Sequence, residues 1–115
     1  MRGIIAFAST LVLAGIACLG GGVKDLSGCL KASVDSFETA FSSVHVYGTI
    51  WNTCSEEVSY ARVGALCYDR AELVIGSDTE YVEDLPPGAS VAFDAIVPDR
   101  TRATTRCSVI VIGAR

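Results

Sequence analysis

The chain is poor in the side chains that carry out chemistry. It has one histidine, His45, one methionine and one tryptophan, Trp51, in 115 residues. No C-x-x-C pair occurs among its five cysteines, so the spacing of a zinc site is missing and no metal is expected. Cations are scarce as well: nine Lys and Arg stand against thirteen Asp and Glu, a net charge of −4. Nucleic acid is therefore excluded as a partner, because phosphate contacts need clustered basic side chains. Arg100, Arg102 and Arg106 are close in sequence, but acidic residues surround them and a solvated turn is the expectation. The chain has no phosphate-cradling loop, dinucleotide fingerprint or EF-hand pattern, and no cofactor is expected.

Catalysis is short of parts in the same way. A serine, threonine or cysteine nucleophile needs a base beside it, and the single imidazole falls on the outward phase of a strand. The acid pairs Glu56-Glu57 and Glu83-Asp84 read as solvated turn residues. A turn around Asp78-Thr79-Glu80 would hold carboxylates of the type that ligate calcium, without the spacing of a calcium loop. The expectation is a protein that is not an enzyme.

What the chain does have is a long uncharged start. Met1-Arg2 supplies one positive charge, and residues Ile4 to Ala17 carry none. A charged start, an apolar run of about 15 residues and small side chains at its end make a secretory signal. A transmembrane span needs roughly 20 residues, which the run reaches only when counted through to Val23. Either reading places the remainder outside the cytosol. The expected organisation is a signal peptide or membrane anchor over residues 1–17, a tether over 18–23 and a folded domain over 24–115.

The segment Leu13-Ala14-Gly15-Ile16-Ala17-Cys18 resembles the lipobox of bacterial and archaeal lipoproteins. That resemblance implies cleavage before Cys18 and a lipid on its thiol, with Gly15 departing from the usual Leu. Four cysteines then remain, which can pair completely. The triplet Gly20-Gly21-Gly22 suits a flexible tether. Arg2-Gly3 before the apolar run also resembles the leader of prepilin-type proteins, which implies a retained helix packed inside a filament. The glutamate common after that cleavage point is absent here before Asp25.

Beyond the tether, apolar residues recur with period two. Val44, Val46, Gly48 and Ile50 alternate with His45, Tyr47, Thr49 and Trp51, the pattern of a half-buried strand. Ala61, Val63, Ala65 and Cys67 alternate with Tyr60, Arg62, Leu66 and Tyr68. A short piece, Leu73 to Ile75, is closed by Gly76-Ser77-Asp78, and a further short strand is expected from Tyr81 to Leu85. Pro86-Pro87-Gly88 stops it, since proline cannot donate to a ladder. Val91, Phe93, Ala95 and Val97 form the next strand, Pro98-Asp99-Arg100 a corner, and Cys107, Val109 and Val111 the last. Residues Val23 to Ala32 show no clean period and read as a first edge strand or a helical turn. Short strands separated by turn signals predict an all-β antiparallel sandwich.

A strand ending in Gly48-x-x-x-Asn52, then Ala65-Leu66-Cys67-Tyr68-Asp69, then Leu85-Pro86-Pro87-Gly88 and a strand with Phe93 resembles the FxLYD domain. That family is an immunoglobulin-like β-sandwich of prokaryotic envelope proteins and lipoproteins, without established catalytic residues. The likeness covers roughly Val44 to Ile112. Ala65 and Cys67 depart from the name motif, and Tyr68 and Asp69 keep it. Such a sandwich implies that the strand ending at Cys67 lies antiparallel to the strand beginning at Cys107, which places these two cysteines within ~6 Å for a disulfide. Cys54, at the other end of its strand, is ~30 Å from Cys67, which leaves Cys29 as its partner.

Two functional classes follow. One is an accessory or binding module, anchored to the membrane by an N-terminal lipid or helix. It would meet an envelope protein or ligand through a sheet face bearing Tyr47, Trp51, Tyr60 and Tyr68 on outward phases. The other is a structural subunit of a surface assembly, with the N-terminal helix retained.

Overall fold

The computed structural model describes residues 24–115. The expected signal or anchor, its helix, the lipidation candidate Cys18 and the glycine tether lie outside the described residues. A single turn of 3-10 helix, Ser27–Cys29, leads into six strands: β1 Leu30–Thr39, β2 Ser43–Asn52, β3 Val58–Tyr68, β4 Val74–Leu85, β5 Ser90–Pro98 and β6 Arg106–Ala114. They form two antiparallel sheets of three, β1-β2-β5 (sheet A) and β4-β3-β6 (sheet B). The described chain is thus all-β, as its period-two patterning requires.

Burial follows the alternation. On β2, Val44, Val46, Gly48, Ile50 and Asn52 are buried, and on β3 Ala61, Val63, Ala65 and Cys67. Val44, Val46, Ile50 and Val58 are wholly inaccessible. Each such side chain contributes ~1.5–3 kcal/mol relative to exposure. The core has two parts. Leu26, Leu30, Ile50, Val58, Val63 and Leu85 fill one end of the sandwich. Val44, Val46, Ala65, Ala95 and Val97 fill the other, together with Cys67 and Cys107. Phe93 and Val109 pack against both.

Two disulfides are present. Cys67 and Cys107 are direct cross-strand partners of β3 and β6, with Cα atoms 4.1 Å apart. Cys29, just before β1, joins Cys54, just after β2, at a Cα separation of 5.0 Å. Each bridge therefore ties neighbouring strands of one sheet. The face-to-face stacking of the sheets carries no covalent bridge and rests on apolar packing, with a few hydrogen bonds across it from Asn52 and Asp78.

Two elements differ from the sequence expectation. The piece closing at Gly76-Ser77-Asp78 and the separate strand from Tyr81 are one continuous strand, β4. Gly76 is not a turn residue. A Cβ there would collide with the Pro98 carbonyl oxygen and lie 2.7 Å from Val97 Cγ1, so the glycine marks where β4 passes against the end of β5. Asp78-Thr79-Glu80 accordingly lies mid-strand, and no turn forms there to wrap a calcium ion. The first strand also extends well beyond Ala32, to Thr39. Its register slips between Val34 and Ser36, and this bulge at Asp35 hid the period.

Candidate functional site

The outward side chains of β2 stand in the middle of sheet A, flanked by β1 and β5. Register places Trp51 between Lys31 and Ser90, Thr49 between Ser33 and Ala92, Tyr47 between Ser36 and Asp94, and His45 between Glu38 and Ile96. Trp51 is 52% exposed and Tyr47 36%. Apart from Lys31 the side chains around the indole are small, which leaves a shallow open groove lined by Lys31, Ala32, Ser33, Thr49, Trp51 and Ser90. The Thr49 hydroxyl donates to Asp35 Oδ2 at 2.7 Å, so the β1 bulge fixes the groove floor.

Further along the face the surface is polar and self-bonded. His45 Nδ1 lies 3.2 Å from Asp94 Oδ1, and its ring stacks on Tyr47 with centroids 6.1 Å apart. The Tyr47 hydroxyl donates to Glu38 Oε1 at 3.3 Å. Burial first, then the carboxylates of Glu38 and Asp94, hold the Tyr47 phenol above its ordinary pKa, so it remains a neutral donor at physiological pH. The only hydrogen-bond partner of His45 among the described residues is a carboxylate.

Tyr60 and Tyr68 stand elsewhere. They project from β3 on the outer face of sheet B, opposite to Tyr47 and Trp51, so the four aromatics do not form one surface. Both are engaged within the molecule. Tyr60 stacks on Tyr81 at 5.8 Å, with the Arg115 guanidinium 4.9 Å from its ring centre. Tyr68 carries Arg106 over its ring at 4.0 Å, and its hydroxyl meets Ser108 Oγ at 3.0 Å. Trp51 has no such aromatic or cationic partner among the described residues.

Several polar residues prove to be structural. Asn52 is fully buried and saturated: its amide donates to the Leu85 and Glu56 carbonyls at 2.8 and 3.1 Å, and its Oδ1 accepts the Cys54 amide at 2.8 Å. Asp69 accepts the Ala71 and Leu73 amides at 2.8 and 3.1 Å and so closes the β3–β4 turn. Asp99, buried at the expected corner, gathers the amides and hydroxyls of Thr101 and Thr104. Burial alone would raise its pKa, but these hydrogen bonds outweigh it and bring the value to about 2. The sequence signal for this site was an Asp followed at short range by threonines; for Asn52 it was a place at the end of the inward row of β2.

At the side where β4 meets β5, Asp78 Oδ2 accepts the Ile96 amide at 3.0 Å. Glu80 is beside it, its pKa raised by burial first and then by Asp78 and Asp94. No group of three or more metal-ligating side chains is assembled among the described residues. No family model, curated protein or solved structure matches this chain.

Proposed function

We propose that the chain is an exported, non-catalytic binding module, held at the extracytoplasmic face of a membrane by lipid on Cys18 or by its apolar N-terminal segment. Its recognition surface is the outer face of sheet A around Trp51. The observation that carries this reading is the indole itself, half exposed on a central strand, set among Lys31 and the small side chains of Ser33, Thr49 and Ser90, with no aromatic or cation-π partner among the described residues. Aromatic anchors of this kind dominate binding energy at interfaces.

Two disulfides agree with folding in an oxidising compartment. The order β1-β2-β5 and β4-β3-β6 supports the immunoglobulin-like reading, since it corresponds to strands A-B-E and C′-C-F of that sandwich. We propose, on the residue likeness alone, that it is an FxLYD-type domain. The Tyr68-Asp69 pair would then serve the fold, by bonding Ser108 and closing the turn.

Crosslinking in intact cells, followed by capture of the wild-type chain and of Trp51→Ala, tests the surface. Loss of about 10-fold in captured envelope partner is expected for the variant; equal capture would reject this face as the recognition surface. Intact mass of the membrane-extracted protein tests the anchor: cleavage before Cys18 with added lipid mass is expected.

A further inference from the structure

A three-stranded sheet exposes two edges, and bare edges invite pairing with other chains unless charge, proline or a bulge guards them. Three of the four edges here are guarded. β1 has its bulge at Asp35 and bears Lys31 and Glu38. β4 bears Asp78, Glu80, Glu83 and Asp84, the last with φ 55°. β5 bears Asp94, ends at Pro98, and has its Ile96 amide capped by Asp78. β6 alone has no charged residue from Cys107 to Ala114. Its ladder with β3 slips near Ile112, but Arg106 to Val111 is regular. Outward along it, Ile110 and Ile112 are 52% and 43% exposed. Across the open side, Phe37 shares the inward row with Val46 and is still 36% exposed, because among the described residues no strand lies beyond β6 to cover it.

We propose that β6 pairs antiparallel with β6 of a second copy, making one continuous six-stranded sheet. The occupant follows from charge. The strand can meet its own equivalent without like-charge contact, because its one ionised side chain, Arg106, is neutralised by Glu72 at 2.7 Å. The carboxylate-bearing edges β4 and β5 cannot meet themselves in this way. Use of one edge on each copy also closes the assembly as a two-fold dimer, with no free edge to propagate. Side chains must stay on their own faces, so paired residue numbers sum to an even value. The regular uncharged stretch Cys107–Val111 then centres on Val109, with Ser108 opposite Ile110 of the second copy. A ladder of five residues is only ~17 Å long, well below the extent of a standard interface. The dimer is therefore weak in solution and favoured by co-tethering on a membrane, where effective concentration is high.

The test uses the full chain in detergent micelles. Sedimentation at rising protein concentration is expected to show monomer–dimer exchange for the wild type and monomer alone for Ile110→Lys. Mild oxidation of mixed Ser108→Cys and Ile110→Cys chains is expected to yield a crosslinked heterodimer at least several-fold above either variant alone. A wild type that stays monomeric throughout, or sediments as a dimer unaffected by Ile110→Lys, would overturn the proposal. So would crosslinking of each variant alone as readily as the mixture.

Discussion

At Gly48 the missing side chain is what lets Phe93 join the two halves of the core. A Cβ there would lie 2.6 Å from both Phe93 Cε2 and the Ser33 carbonyl oxygen, and the backbone atom cannot yield. Gly48→Ala is expected to destabilise the fold by about 1–3 kcal/mol, read as a lower urea midpoint with unchanged slope. Asp99 makes a prediction in pH. Its folded-state pKa of about 2 lies below the ordinary 3.8, so it contributes stability that is complete above pH 4 and lost as pH falls through 2. The difference amounts to about 2 kcal/mol. Asp99→Asn should lower stability at pH 7 and flatten the acid limb between about pH 4 and 2 in denaturation curves taken across that range.

At the scale of elements, the disulfide between β3 and β6 closes a loop of 40 residues in sequence. Removing it as Cys67→Ser with Cys107→Ser is expected to cost about 3–4 kcal/mol on the chain-entropy account. That is a large part of the ~5–15 kcal/mol net stability of a small domain. Because the bridge lies within one sheet, the sheets should still stack, and near-UV circular dichroism of the variant at low denaturant should keep its native form. β2, β3, β5 and β6 were legible in the sequence because apolar residues alternate along most of each, with one face toward the core. β1 and β4 were not fully legible. A bulge at Asp35 broke the first pattern, and a glycine required by close packing at Gly76 imitated a turn in the second.

For the molecule as a whole, the side where β4 meets β5 concentrates Asp78, Glu80 and Asp94. Burial and these neighbours raise the Glu80 pKa, so its ionised form is disfavoured in the folded state. A raised carboxyl gives stability that grows as pH falls toward its unfolded value and is weakest when fully ionised. Glu80→Gln is thus expected to stabilise the protein at pH 7 and to leave it nearly unchanged at pH 4, measured by thermal melting. Charge guards this side of the sandwich and leaves the β6 side bare.

The sequence by itself determined the strand alternation, the all-β class and the uncharged start, because these follow from local period and composition. Tertiary structure decided the rest. Only sheet pairing could divide Tyr47 and Trp51 from Tyr60 and Tyr68, which share the same outward phase along the chain but face opposite sides of two stacked layers. Only packing could show that Asn52 and Asp99 are buried and saturated. Outward phase fixes the side of a strand, not the layer it joins or the neighbours that cover it.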